Sequence, residues 1–440
     1  MNKILLMFFV LFTLTAYCST LNAGGWKQKE FIITMWCPPP SNDENLARLV
    51  REGFTLTNVS FSGDDRVPDS EAAKMLSIVD KYNIKTLIGN DASTILRAES
   101  LDDPAQKAKL DEFIEMAKKH PSFAGYFLAD EPSATTFANW GRIAKYLKER
   151  DPDHLVFINL FPTYASQEQL GVFLKEPVKG KLIPDNNFNF AGIGTDEKTA
   201  IFYNEHLKQY MAQLKPELLS YDHYSFMEGG NDGLQYFLNL ELMRGASLSA
   251  KLPFINFVQA CTIVKSWRMP NKDELRWLAY TTMVYGGRGI GWFLYAGPSE
   301  YGGLYQNGKR MPAADWVAEI NQEIKSLGLE LMKLNSNQIY HSEPLPIGTR
   351  AMAGSPVNAS GGQYVIGMFE ENGSTNAFMI MNRDYKTKSV ARMSINLGDG
   401  KLFEFSIPDG KWTEIKAVTS GSVIDVELPP GGGKLFKIMR

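Results

Sequence analysis

The sequence predicts an α/β protein: a (β/α)8 TIM barrel over residues 24–335, followed by a small all-β sandwich over residues 336–440. Strand-like apolar runs alternate with helix-like runs eight times before residue 335, the pattern of parallel strands wrapped by helices. Beyond it, short alternating strands separated by Asn-Gly and Asp-Gly turns replace helical periodicity. The 440 residues suffice for a barrel of about 250–350 residues and a module of about 100. A doubly wound open sheet is the competing architecture. No glycine-rich phosphate loop follows the first strand, which removes the dinucleotide-binding form of that fold.

The first strand, 31–36, ends at Cys37-Pro-Pro-Pro40. Ser41 with Glu44 has capping-box spacing and opens a helix to about Arg51. Strands at 54–61 and 84–89 flank a helix at 70–82, and the later strand ends at Asn90 and Asp91. Asp103-Pro104 is an N-cap and first-turn pair for a helix to about Lys119. The fourth strand, 123–130, feeds a helix at 135–150, and a fifth strand follows at 154–161. Between Ala165 and Thr199 a short helix gives way to a long loop, and loops of that length in compact domains are usually functional or mobile. A helix at 200–214, a strand at 218–226, a helix at 233–249 and a strand at 253–260 come next. Asn271 with Glu274 caps a helix that Gly286-Gly287 stops. The eighth strand, 289–295, leads through a glycine-rich loop to a last helix at 312–334. The trailing module shows strands at 364–370, 377–382, 390–395, 402–407, 423–428 and 434–439.

Hydrophobic residues at 44% and charged residues at 22% are ordinary for a globular protein, and a net charge of −3 gives no electrostatic footprint for nucleic acid or anionic membrane. Lys3 and the apolar run 4–16 read as a signal peptide, residues 1–23, with cleavage after Ala23. Cys18 offers lipidation as a second option, although Tyr17 stands where a lipobox carries a small residue. Either route places the mature bacterial protein outside the cytoplasm, in the periplasm, at the cell surface or secreted. No later stretch is long and apolar enough to cross a membrane. Cys37 and Cys261 then remain, too few for a disulfide framework or a zinc pattern. They read as two buried thiols, with a bridge between them as the alternative.

The fourth strand carries the strongest functional signal. Its apolar run stops on adjacent carboxylates, Asp130 and Glu131. Pro132 forbids the strand to continue and biases Glu131 toward an extended backbone, and Ser133 caps the next helix. A barrel displays catalytic groups at such strand ends; the alternative is a pair of solvated turn residues. The other strand ends add Trp36, Asn58, Ser60, Asn90, Asp91, Asn159, Tyr164, Asp222, His223, Tyr224, Gln259, Trp292 and Tyr295. With 5 His in the chain, no His-x-His and no Glu beside a His pair, no metal site is indicated; nor is any cofactor motif, Gly-x-Ser-x-Gly elbow or strand-end lysine.

Carboxylates, amides and aromatic platforms together suit glycoside hydrolysis, which needs a proton donor and a second carboxylate as nucleophile or base. Glu131 is the best donor. Asp130 beside it orients a sugar hydroxyl, tunes Glu131, or simply bonds neighbouring backbone. Asp222 is the foremost second carboxylate, against a reading as a buried structural acid, with Glu228 and Glu300 in reserve. A separation of about 5–5.5 Å between the pair favours retention and about 6.5–9.5 Å inversion. His223 points away from Asp222 by strand alternation and reads as structural. Trp36, Tyr164, Tyr224, Trp267, Trp292 and Tyr295 are candidates for stacking on sugar rings.

The segment Tyr126-Phe-Leu-Ala-Asp-Glu-Pro132 resembles the clan-A, β-galactosidase-like glycoside hydrolases, and a set of secreted bacterial glycosidase-like proteins carrying Asp-Glu-Pro at this place. The resemblance covers the barrel and, loosely, the sandwich. It implies that Glu131 is the general acid/base. Two departures stand out: the clan's nucleophilic glutamate on the seventh strand is replaced by Gln259, and the Asn that precedes its acid is Asp130. A non-catalytic glycan-binding protein on a degenerate barrel is therefore the second hypothesis. A polysaccharide lyase or transglycosylase is the third.

Overall fold

A computed structural model describes residues 25–59, 69–89, 93, 95–173, 194–230, 232–297 and 301–440. The signal segment, Asn90, Asp91 and Glu300 lie outside them. The parallel strands are β1 (Ile32–Met35), β2 (Leu56–Val59), β3 (Lys85–Ile88), β4 (Phe123–Asp130), β5 (Leu155–Asn159), β6 (Leu219–His223), β7 (Phe254–Gln259) and β8 (Gly289–Phe293). They form two parallel four-stranded sheets, ordered β1-β8-β7-β6 and β2-β3-β4-β5. The sheets meet along both edges. Thr55 N donates to Ile33 O at 2.9 Å between β1 and β2, and Leu160 N donates to Ser220 O at 2.9 Å at the end of β5.

Strand alternation sorts the side chains into two sets. Ile32, Leu56, Leu87, Phe127, Phe157 and Phe257 converge in one apolar interior cluster drawn from both sheets. Gly291 on β8 leaves space for that cluster: a Cβ there would stand 2.2 Å from the Phe257 ring. The opposite parity, including Ile33, Tyr126, Tyr221 and Trp292, packs outward against the helices.

Those helices are α1 (Asp43–Arg51), α2 (Asp69–Val79), α3 (Pro104–Ala117), α4 (Phe137–Arg150), α5 (Gln167–Leu170), α6 (Gly194–Leu214), α7 (Tyr236–Ala250), α8 (Lys272–Val284) and α9 (Pro312–Leu331). Their starts follow local capping chemistry. Asp103 accepts from Ala105 N at 2.8 Å, and Asn271 with Glu274 makes a reciprocal capping box. The α1 cap is Asn42, whose Oδ1 accepts from Asn45 N at 2.9 Å, in place of the expected Ser41. Helix α6 begins at Gly194, six residues before the expected start, and takes up the end of the presumed 165–199 loop. Residues 174–193 of that loop lie outside the described residues.

The C-terminal strands are β9 (Asn335–His341), β10 (Val357–Ser360), β11 (Tyr364–Glu371), β12 (Ser374–Asn382), β13 (Ser389–Ile395), β14 (Gly400–Ser406), β15 (Lys411–Val418), β16 (Ser422–Leu428) and β17 (Gly433–Met439). A six-stranded sheet, β9-β11-β12-β17-β14-β15, faces a three-stranded sheet, β10-β13-β16. Val357, Ile366, Phe378, Met393 and Phe436 fill the space between them. The other face of the larger sheet, through Val365, Phe369 and Met379, joins the main core with α8 and α9. Trp277 Nε1 donates to Arg383 O at 3.0 Å, and Tyr385 OH donates to Asp232 Oδ2 at 2.9 Å across the same junction.

Candidate active site

The site is built where β4, β5 and β6 end. A bulge between Phe127 and Ala129 brings Asp130 into register with Asn159. Asn159 Nδ2 donates to Asp130 Oδ1 at 3.2 Å, and its Oδ1 accepts from Ser220 Oγ at 2.8 Å. Glu131 N still belongs to the sheet and donates to Asn159 O at 2.9 Å. The chain must then leave for α4, and it turns at once. Glu131 has φ 45°, left-handed, not the extended backbone that Pro132 favours. A non-glycine residue there costs about 1–3 kcal/mol, and such strain concentrates at functional sites. Cys37, also before a proline at a strand end, has φ 51°.

Glu131, after this turn, and Asp222, on β6, are close enough to act on each other's ionisation. Asp222 is 5% exposed. Its Oδ2 accepts from Tyr224 OH at 2.8 Å, while its buried Oδ1 has no hydrogen-bond partner. A charged carboxylate with a buried, unpartnered oxygen is costly, which favours the neutral form of Asp222. Electrostatics agree: burial first, and then the Asp130 charge, raise Glu131 to about 7. Burial, and then the charges of Glu131 and Asp130, push Asp222 well above the usual carboxylate range. Burial and Asp130 also raise the Cys37 thiol.

Aromatic groups frame these acids. Trp36 stands edge-on over Phe127 and Phe257 at 5.4 and 5.3 Å, above the interior cluster. Tyr224 packs on Trp267 at 4.6 Å and on Phe293 at 4.8 Å, and Tyr301 continues the wall 6.3 Å from Phe293. Tyr164 is 48% exposed, yet its hydroxyl is crowded against the Tyr224 backbone; burial of that end and the nearby Asp222 charge raise its phenol. Asn58 sits one inward step above Leu56 on β2, with a buried, unpartnered Oδ1.

Three expected site residues are elsewhere. Gln259 is fully buried and locked to backbone: its Oε1 accepts from Phe226 N at 2.8 Å, and its Nε2 donates to Phe226 O at 2.9 Å and Arg268 O at 2.8 Å. It staples the loops after β6 and β7. Trp292 points outward, is fully buried and donates to Asn321 Oδ1 at 2.8 Å. Tyr295 donates to Glu52 Oε2 at 2.9 Å and stacks on Tyr305 at 4.8 Å, also outside the site. Phe293 takes the place expected of Trp292. The glycines at 289 and 291 mark the inward parity of β8, and that parity selects Phe293. His223 faces α7, with Nδ1 2.9 Å from Asn239 Oδ1, as strand alternation predicts. Glu228 is exposed on a short 3-10 turn.

Cys37 and Cys261 are free thiols. Among the described residues, no group of three or more His, Cys, Asp or Glu side chains is arranged to hold a metal ion, and no helix is long and apolar enough to cross a membrane. Cavities of about 720 and 710 Å³ open at the opposite end of the strands, around Trp26, Lys27 and Gln28, away from the carboxyl cluster.

A glycoside hydrolase family 5 structure from Bacteroides vulgatus ATCC 8482 aligns with 95% of this chain and 92% of its own, at TM-score 0.57 and 12% identity. The chain has the fold of a glycoside hydrolase. A family 39 glycoside hydrolase from Bacteroides cellulosilyticus WH2 covers 93% of this chain and 81% of its own at TM-score 0.47 and 11% identity, too distant to bear on the argument. No family model and no curated protein matches the chain.

Proposed function

We propose that the chain is an extracytoplasmic glycoside hydrolase that cleaves O-glycosidic bonds in poly- or oligosaccharides. Residues 24–335 act as one closed (β/α)8 catalytic barrel of the clan-A type, in its secreted Asp-Glu-Pro form, and residues 336–440 as a sandwich domain packed on it. Glu131 protonates the departing oxygen, with Asp222 as its carboxyl partner and Asp130 tuning the pair. The observation that carries this is the clustering of Asp130, Glu131 and the buried Asp222 at the strand ends, in surroundings that keep Glu131 protonated up to about pH 7. Asn58 and Tyr164 supply polar contacts for sugar hydroxyls, while Asn159 and Tyr224, buried and bonded to Asp130, Ser220 and Asp222, hold the acids in place. Trp36, Phe293 and Trp267 supply flat apolar faces. The extracytoplasmic location is supported by Lys3 and the apolar run 4–16.

Turnover on a panel of neutral and charged oligosaccharides, wild type beside Glu131→Gln, tests the reading. Hydrolysis by wild type, and loss of about 10²–10⁴-fold in the variant, supports it. Equal binding by both proteins with hydrolysis by neither sustains instead a glycan-binding protein. That second reading is favoured by Gln259, an amide held by backbone where the related hydrolases carry a nucleophile.

A further inference from the structure

We infer that the end of the strands away from the carboxyl cluster carries a second ligand site: a groove around Trp26 that takes an acidic saccharide, one bearing carboxylate or sulfate groups. The inference goes beyond the glycosidase reading and does not depend on it.

The groove is organised by residues 26–30, just ahead of β1. Gln28 pins them: its Nε2 donates to Arg288 O at 2.6 Å and to Glu30 O at 2.8 Å. Trp26 packs on the interior apolar cluster and stays half-buried. The cavities of about 720 and 710 Å³ adjoin there, and Trp26, Lys27 and Gln28 line both. Each volume lies within the range of small-ligand pockets, about 300–1,000 Å³. A chain-shaped ligand spanning the two has the indole at its middle.

Charge sets the class of ligand. Lys27, Lys29, Lys85, Lys118 and Lys119 line the first cavity, against Glu30 and Asp153. Lys27, Arg244, Lys251 and Arg288 line the second, against Glu217 and Glu370. Together the cavities hold eight cationic side chains and four acidic ones, on a chain whose net charge is −3. Part of that excess is neutralised, because Lys118 pairs with Glu115 at 2.8 Å and Arg244 with Glu241 at 2.6 Å. Among the described residues, Lys27, Lys29, Lys119 and Lys251 make no ion pair.

Arg288 is the firmest sign. Its guanidinium donates to Met332 O at 2.8 Å, Leu334 O at 2.7 Å and Asn335 Oδ1 at 3.2 Å, none of them a carboxylate. Burial lowers its pKa with no acid to oppose the shift. A half-buried guanidinium without a counter-ion is a ready partner for a carboxylate or sulfate. An indole among cations suits an acidic sugar, whose ring stacks while its anionic group pairs. A bilayer surface is flat and does not enter two recesses.

The test is isothermal titration of the mature chain with a galacturonate hexamer, a sulfated hexasaccharide and neutral cellohexaose, at low salt and at about 0.15 M. Either acidic hexamer should bind wild type and Glu131→Gln alike. Lys27→Gln combined with Lys251→Gln, both exposed, should weaken that binding about tenfold and leave cellohexaose unaffected. Arg288→Gln should weaken it further, and the exposed lysine pair decides the matter should that variant unfold. Trp26→Phe identifies one indole N–H signal by NMR, and in wild type that signal should shift when the acidic hexamer is added. Three results each overturn the inference: neither acidic hexamer binds; the lysine substitutions leave binding unchanged; or inorganic phosphate or phosphatidylglycerol vesicles bind as tightly as the hexamers. If the wild type hydrolyses no glycoside, the glycosidase reading falls and these titrations still decide this one.

Discussion

Asn159 ties Asp130 to the fifth strand through its side chain, at 3.2 Å, while its carbonyl accepts from Glu131 N at 2.9 Å. One buried residue thus sets the height of both acids, Asp130 through its side-chain amide and Glu131 through its backbone, and Ser220 Oγ, 2.8 Å from Asn159 Oδ1, fixes which end of the amide faces Asp130. Asn159→Ala removes the two side-chain bonds, leaves the backbone bond to Glu131 N, and strands the Ser220 hydroxyl in the interior. The expected cost is about 2 kcal/mol in urea unfolding, together with a lower kcat, because Asp130 loses its fixed orientation. A variant with unchanged stability would mean that water replaces the amide.

The pH dependence follows from Glu131. An acid raised to about 7 is protonated below that pH and lost above it, so kcat/KM should fall as pH rises through about 7. Stability carries the same sign. The unfolded chain loses this proton near the ordinary 4.5 and the folded chain near 7, so between those values the folded state holds the extra proton and stability falls as pH rises. Glu131→Gln removes the titrating group. The variant should melt higher than wild type at pH 8 and show no such gain at pH 4, with thermal unfolding monitored at both.

How much of this was legible in the sequence depends on the range of each signal. Strand order, helix caps at Asp103 and Asn271, and the carboxyl pair on β4 rest on local chemistry and appear as expected. Strands β9, β10 and β15 were missed because tertiary context makes them: Asn335–His341 is rich in amides, Val357–Ser360 is only four residues long, and Lys411–Val418 is a largely exposed edge strand with no clean alternation. The Glu131 backbone defied the proline rule, because a non-local bond to Asn159 O holds its N–H in the sheet. Trp292 and Tyr295 were chosen for their ring chemistry, and a count of parity from Gly289 and Gly291 would have passed over Trp292 in favour of Phe293.

Gln259 invites a restoration experiment. Placing glutamate there recreates, in sequence only, the seventh-strand residue of the clan-A hydrolases that the Asp-Glu-Pro segment resembles. The side chain faces Phe226 O, Arg268 O and Cys261 O, at 2.9, 2.8 and 3.3 Å. One carboxylate oxygen would keep the Phe226 N–H, but the other would meet three carbonyl oxygens with no donor, in a fully buried position. Gln259→Glu should therefore destabilise by at least about 2 kcal/mol in urea unfolding and add no hydrolytic activity. A gain in turnover would place Gln259 in the substrate cavity.

Adjacent aromatic residues on β8 separate packing from recognition. Trp292 is fully buried, and its indole N–H is 2.8 Å from Asn321 Oδ1, so Trp292→Ala leaves a large cavity and an unpaired amide. A loss of about 3–5 kcal/mol is expected in thermal unfolding. Phe293, one residue on, faces the mouth beside Tyr224 and Trp267 at 4.8 and 6.1 Å. Its removal takes away a half-buried flat surface and no hydrogen bond. Phe293→Ala should raise KM about tenfold, about 1.4 kcal/mol of lost stacking, while the unfolding midpoint moves little. Because strand alternation alone sets the two residues apart, a reversal of these effects would show that β8 is registered one residue out and that its opposite face lines the site.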